Sequence, residues 1–211
     1  MKRFAVLWFV VVVLSAGCAR VNLPTTAAPP ATAPAVAAPA AANAAAPPAT
    51  LASCAGVLTS ANMEGPYYKA GAPARPNLIE PGMPGQPIRI SGRVFDQDCN
   101  PLPGAKVDFW QADANGVYDN AGYILRGYVV TGADGAYTLD TVEPGVYPGR
   151  PPHVHVKVFA PDGRELLTTQ MYFAGSETSR DVQTAPDLLV PYLGLDDQGR
   201  QQITFDFVVR E

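Results

Sequence analysis

From about residue 55 onward the chain alternates apolar and polar positions in short runs, and residues that favour turns break the runs. A period of two sends neighbouring side chains to opposite faces of an extended strand, so each run is read as a strand with one face turned to a core. Strands are predicted over residues 88–95, 106–110, 128–131, 136–139, 153–159, 167–173 and 203–209. Between them stand turn signals: the Asp-, Asn- and Pro-rich stretch 96–104, Ala133-Asp134-Gly135 and Pro161-Asp162-Gly163. No run in this part of the chain carries a long helical period. Several short strands at this spacing predict an all-β fold, a β-sandwich whose two sheets pack over an apolar core.

Upstream the pattern changes. Lys2 and Arg3 precede an apolar run at residues 4–14 that is too short to span a bilayer. Leu14-Ser15-Ala16-Gly17-Cys18 follows and resembles a bacterial lipoprotein signal, with Cys18 as the lipidated residue. Residues 1–18 are therefore expected to be a lipoprotein-type signal peptide, an ordinary signal cleaved nearby being the alternative. Ala19 after the cysteine favours the outer membrane. Residues 19–52 are almost entirely Ala, Pro and Thr. Such a stretch has too few core-forming side chains to fold and is expected to be a disordered, semi-stiff tether. One folded domain, residues 53–211, remains. The expected location is the bacterial envelope through a lipid on Cys18, or the periplasm or exterior if no lipid is added.

Charge and cysteine content narrow the partners. A formal charge of −4 with only 15 Lys and Arg offers no electrostatic footprint for nucleic acid, which leaves small molecules or other surfaces. Of the three cysteines, Cys18 is assigned to the lipid. Cys54 and Cys99 are left in an oxidising compartment, where pairing is expected and two free thiols are the alternative.

Chemistry enters with the only two histidines, His153 and His155. Both lie on the predicted strand 153–159 at i and i+2, so both imidazoles project from one face, which makes them half of a transition-metal site or a satisfied structural pair. A cupin-like site would need an acidic residue shortly downstream, and Val156-Lys157-Val158-Phe159-Ala160 has none. A copper–zinc arrangement would need more histidines, and zinc or a two-His-one-carboxylate ferrous site would need a distant ligand. Tyrosine is the remaining donor. Tyr147 lies six residues before His153 and Tyr118 ends a Gly-Val-Tyr turn, although most of the nine tyrosines must be core or turn residues. Two anionic oxygens with two imidazoles suit a trivalent cation such as ferric iron.

Two family resemblances bear on the choice. The Ser91–Val94, Gly104–Val107, Thr131–Tyr137 and Glu143–Tyr147 segments resemble transthyretin-like and carboxypeptidase-regulatory-like sandwiches, many of which are non-catalytic binding or spacer modules. A longer series is more specific. Glu64-Gly65-Pro66-Tyr67-Tyr68, Val107-Asp108-Phe109-Trp110-Gln111-Ala112-Asp113, Gly116-Val117-Tyr118, Leu125-Arg126-Gly127-Tyr128, Thr131-Gly132-Ala133-Asp134-Gly135, Pro144-Gly145-Val146-Tyr147-Pro148, Arg150-Pro151-Pro152-His153-Val154-His155 and Thr169-Gln170-Met171-Tyr172-Phe173 occur in unbroken order. This series resembles the intradiol ring-cleavage dioxygenases, non-haem ferric enzymes that open catechols between their hydroxyls with O2. The resemblance implies a β-sandwich with long active-site loops. It also implies Fe(III) held by Tyr118, Tyr147, His153 and His155, with Tyr118 the tyrosinate released on substrate binding. Arg150 would lie against the substrate ring, and Gln170 would stand behind the pocket. The product would be a muconate-type diacid. The link from Tyr147 to His153 is shorter than in the catechol and protocatechuate enzymes, which implies a more open pocket suited to external, plant-derived catechols. The Ala/Pro segment stands where some catechol enzymes carry helical elaborations.

Overall fold

A computed structural model describes residues 54–211; the expected signal at 1–18 with Cys18, and the tether at 19–52, lie outside the described residues. Among the described residues nine strands form two sheets. They are β1 (Pro87–Asp96), β2 (Lys106–Gln111), β3 (Arg126–Val130), β4 (Ala136–Val142), β5 (His153–Phe159), β6 (Glu165–Phe173), β7 (Leu189–Val190), β8 (Gln201–Thr204) and β9 (Phe207–Val209). One sheet has the order β4-β1-β8 with β9 also on β1, and the other runs β3-β2-β5-β6-β7. The one α-helix among the described residues, α1 (Arg180–Thr184), follows β6.

The core lies between the sheets. Ile88, Ile90, Tyr137, Leu139, Ile203 and Phe207 from the first sheet meet Val107, Phe109, Val154, Val156, Val158 and Met171 from the second. Alternation along β5 sends Val154, Val156 and Val158 inward, and so turns His153, His155 and Lys157 to the opposite face. Those three are buried as well, because loops cover that face. A strand buried on both sides is the scaffold on which a site can be held rigidly.

The predicted strand 203–209 is split in two. β1 pairs with β8 as far as Ser91↔Thr204 and with β9 from Val94↔Phe207, so the register is kept across a break at residues 205 and 206. There the Asp206 carboxylate accepts the Arg93 N–H at 2.7 Å in place of a ladder carbonyl. Opposite, a Cβ on Gly92 would stand 1.8 Å from the Phe205 carbonyl oxygen, so the close approach needs glycine. Cys54 and Cys99 are joined in a disulfide that ties the start of the domain to the β1–β2 loop.

Candidate metal centre

The second sheet's outer face carries the site at one end. Trp110, His155 and Gln170 are cross-strand neighbours on β2, β5 and β6. The Trp110 ring stacks flat on His155, with centroids 4.8 Å apart and planes 6° apart. Two loops bring phenols to this row. In the β2–β3 loop, the Asp113 carboxylate accepts the Asn115 and Val117 N–H groups at 2.9 Å, and Gly116 turns at φ 79°. This delivers Tyr118. In the β4–β5 loop, Gly145 N–H donates to the Asp113 carbonyl at 2.8 Å and Arg150 N–H to the Tyr147 carbonyl at 2.9 Å. The two Gly-Val-Tyr turns lie back to back: a Cβ on Gly116 would stand 2.1 Å from the Val146 carbonyl oxygen.

Three donor atoms converge. The Tyr118 hydroxyl lies 3.2 Å from His153 Nε2 and 3.1 Å from His155 Nε2, and the two nitrogens are 3.1 Å apart. Donors at about 2.1 Å from one metal ion and at right angles to each other are about 3 Å apart, so this triangle has the dimensions of one face of a coordination shell. Proton counting agrees. His153 Nδ1 is 2.7 Å from the Pro151 carbonyl, which can only accept, so Nδ1 carries the hydrogen and Nε2 presents a lone pair. His155 Nδ1 is buried without a hydrogen-bond partner. At most two protons then serve three electron-rich atoms, an arrangement that a cation satisfies. Among the described residues no cluster of three His, Cys, Asp or Glu side chains occurs, and the oxygen beside the two imidazoles is the Tyr118 phenol.

Electrostatics favour neutral imidazoles. Burial, reinforced by His153, Arg150 and Arg126, pushes His155 down to about 2. Burial likewise lowers His153. Tyr118 is raised by burial, against the opposing pull of Arg126 and Arg150, so the phenol stays protonated until a cation draws the proton off.

The fourth expected ligand, Tyr147, belongs to the same cluster but is arranged differently. Its ring meets Tyr118 edge-on at 5.9 Å, and its hydroxyl is 2.7 Å from the hydroxyl of Tyr67. Tyr67 also stacks on Tyr118, with centroids 4.4 Å apart. Arg150 and Gln170 touch each other: Arg150 Nη2 donates to Gln170 Oε1 at 2.9 Å and to the Tyr172 hydroxyl at 3.1 Å, and Arg150 Nε lies 2.9 Å from Asp181. Tyr172 in turn donates to Gln170 Oε1 at 2.9 Å. A cleft of about 540 Å³ opens between Arg150–Pro152 and the segment from Gly175 to Asp181. Tyr67, Tyr172 and Trp110 carry contacts here that their sequence positions did not assign to them. Two of them had a signal: Tyr172 is two residues from Gln170 on one strand, and Trp110 sits on the predicted strand 106–110.

Comparison with known proteins points one way. Residues 63–211 match the family model described as Dioxygenase. The chain is 28% identical over 190 residues to chlorocatechol 1,2-dioxygenase of Rhodococcus opacus, covering 74% of each. It is 32% identical over 146 residues to hydroxyquinol 1,2-dioxygenase of Nocardioides simplex, where it spans half of that protein. Among solved structures, it is similar to the dioxygenase domain of a dioxygenase–carbohydrate-binding protein fusion from Streptomyces sp. SirexAA-E. The two are 46% identical with a TM-score of 0.67, covering 73% of this chain and 99% of that one.

Proposed function

We infer the activity of this chain from a plain premise: it belongs to the intradiol ring-cleavage dioxygenases, enzymes that open a catechol-type ring. We propose that the reaction depends on ferric iron, consumes O2 and yields a muconate-type diacid. The observation that carries the ferric reading is the triangle of Tyr118, His153 and His155 donors at 3.1–3.2 Å. Tyr147, 5.9 Å from Tyr118 between ring centroids, is the proposed fourth ligand. Held by these residues, Fe(III) would supply Lewis acidity that favours the deprotonated catechol and makes its ring open to O2.

The remaining work falls to the chain's own residues. Two imidazoles kept neutral by burial act as donors without first having to lose a proton. Tyr118 is the proposed acceptor of a proton from a catechol hydroxyl, a role that its place against both imidazoles supports. Arg150 is held from three sides by Gln170, Tyr172 and Asp181, and such a fixed guanidinium stabilises negative charge as it develops on the ring. Gln170 keeps Arg150 in place and ties the chain before the site through a 2.8 Å bond from Nε2 to the Met63 carbonyl.

We further propose ring-substituted catechols as substrates. The open cleft of about 540 Å³ beside Arg150, lined from residues 149–152 and from the segment 175–181, supports this only as room next to the proposed ring position, since the four proposed ligands lie outside it. An exported, envelope-anchored enzyme is the proposed setting. The N-terminal sequence and the Cys54–Cys99 bridge support it.

The visible spectrum of the iron-loaded protein tests the reading. A burgundy tyrosinate-to-iron band that shifts on adding catechol, with O2 uptake matching diacid formation, is expected. A colourless protein that cannot be loaded with Fe(III) overturns the ferric site. Turnover of unsubstituted catechol alone, across a panel of 4-substituted catechols, overturns the substrate class.

A further inference from the structure

One row along β5 from His155, the outer face of the second sheet holds an ion cluster in which a buried lysine meets two half-exposed carboxylates. Lys157 points to the same side as the two histidines, and its side chain is only 8% exposed. Its Nζ lies 2.7 Å from Glu64 and 2.8 Å from Glu165, and 4.5 Å from the centre of the Tyr68 ring. Tyr68 donates to the buried Asp108, Lys157's cross-strand neighbour, at 3.3 Å and leans on Trp110 with centroids 4.8 Å apart.

Glu64 belongs to a segment with a peculiar hold on the rest of the protein. After Asn62, whose N–H donates to the Thr168 carbonyl at 2.9 Å, no backbone–backbone hydrogen bond anchors residues 63–72 among the described residues. Side chains do it instead. Gln170 holds the Met63 carbonyl, Arg126 holds the Tyr67 carbonyl, and Lys157 holds the Glu64 carboxylate. Yet this segment covers the metal donors. Gly65, at φ 73°, lies so close to His155 that a Cβ there would stand 3.1 Å from Cε1. Tyr67 stacks on Tyr118 and shares a 2.7 Å hydrogen bond with Tyr147.

We propose that the Lys157–Glu64 ion pair is a positioning device that fastens residues 63–68 over the metal donors, so that Lys157 sets the geometry of Tyr118, Tyr147 and His155 without touching the substrate. Glu165 supplies the counter-charge from β6, which fixes the ammonium in place whether or not Glu64 is attached. The asymmetry matters: of Lys157's two carboxylate partners, only Glu64 lies in the segment over the donors, while Glu165 lies on β6 beside Lys157. A charge this well covered is costly to leave alone, so the second carboxylate lets the clamp be cut at Glu64 without stranding a buried cation.

The consequence for the iron spectrum rests on the proposed ferric site, whereas the clamp itself does not. Two readouts therefore keep them apart. The first uses metal-free protein in a Trp8→Phe background, where Trp110 is the single tryptophan, 1% exposed beneath the segment. Glu64→Ala is expected to raise acrylamide quenching of Trp110 about threefold as the segment opens locally, with little change in global unfolding. Lys157→Met is expected to do the same, Lys157→Arg to restore the parent value, and Glu165→Gln to leave it unchanged. The second readout is the ferric form: Glu64→Ala shifts the charge-transfer maximum and speeds iron loss to a chelator.

Quenching unchanged in Glu64→Ala, or raised equally by Glu165→Gln, overturns the clamp. Raised quenching with an unmoved band and unmoved iron release overturns the positioning role. If no variant, parent included, takes up iron, the ferric reading fails and the quenching result still decides the clamp.

Discussion

At the scale of single residues, the site is an excess of lone pairs over protons. His153 gives its one hydrogen to the Pro151 carbonyl, and the Tyr118 hydroxyl stands within 3.2 Å of both Nε2 atoms with one proton to offer. Tyr118→Phe removes the proposed oxygen ligand and the proposed proton acceptor together. Turnover is expected to fall by roughly 10²–10⁴, the usual contribution of a positioned base, and the charge-transfer band to change in single-turnover spectra. Tyr67→Phe is milder. It keeps the stack on Tyr118 and deletes only the 2.7 Å bond to Tyr147. A rate change of about two- to tenfold, the worth of one hydrogen bond, with a shifted band is expected, and an unchanged spectrum would show that Tyr67 does not hold Tyr147. The imidazoles also write a pH dependence into the metal-free fold. Burial depresses both, His155 to about 2 from an ordinary 6.5, so below about pH 6.5 the unfolded chain binds protons that the folded one refuses. Stability present above pH 6.5 is lost as pH falls, at about 1.4 kcal/mol per pH unit for each histidine involved. The carboxyls of buried Asp108 and half-buried Asp206, both raised by desolvation, act in the opposite sense. Urea unfolding of the parent against His155→Gln between pH 7 and 5 therefore isolates the histidine share, and parallel profiles would refute it.

At the scale of elements, strands were legible and their company was not. The alternation in His153–Phe159 puts the two imidazoles on one face from sequence alone, and the strand has those bounds. The same alternation cannot say that the other face is also buried. That depends on loops arriving from residues 63–68 and 112–125, far away in the chain. For the same reason Tyr67 carried no legible role: its partners are 80 residues away at Tyr147 and across a loop at Tyr118. The stretch 203–209 reads as one strand because Phe205 and Asp206 do not interrupt the apolar pattern, yet the Asp206 carboxylate takes over the Arg93 N–H and breaks the ladder. The β6–β7 connection, with α1 in it, is too short to show a helical period. Glycine spacing was the better guide to the loops. Gly116 and Gly145 precede the two ligand-candidate tyrosines by two residues each, and each faces the other turn's backbone where no Cβ fits. Gly116→Ala, which also strains φ 79°, is expected to separate the turns. The charge-transfer band should weaken or vanish while far-UV circular dichroism stays that of a β protein. A normal spectrum in that variant would show that the turns tolerate separation.

At the scale of the molecule, the sandwich keeps what stabilises it apart from what reacts. The donors sit where β5 begins and β2 ends, since His153 and Gln111 mark the same edge of the sheet. The disulfide lies at the other edge, with Cys99 in the loop that feeds the start of β2. Cross-linking residues 45 apart restricts the unfolded chain by roughly 4 kcal/mol in the chain-entropy model. Cys54 is nonetheless only eight residues from Asn62, where the segment over the site begins, so loss of the bridge has a short path to the donors. That path is blocked at three points. Thr59 N–H donates to the Val208 carbonyl at 3.0 Å and its hydroxyl accepts the Val208 N–H at 2.9 Å. Ser60 donates twice to Asp187, from N–H at 2.9 Å and from its hydroxyl at 2.8 Å. Asn62 then joins β6 through Thr168. Freed at Cys54, the chain should fray as far as residue 58 and no further. The double variant Cys54→Ser/Cys99→Ser is accordingly expected to lose about 2–4 kcal/mol of unfolding free energy while the folded ferric protein keeps its band and its turnover. A folded variant with an altered band would mean instead that the three anchors give way together, and that the bridge holds the site as well as the fold.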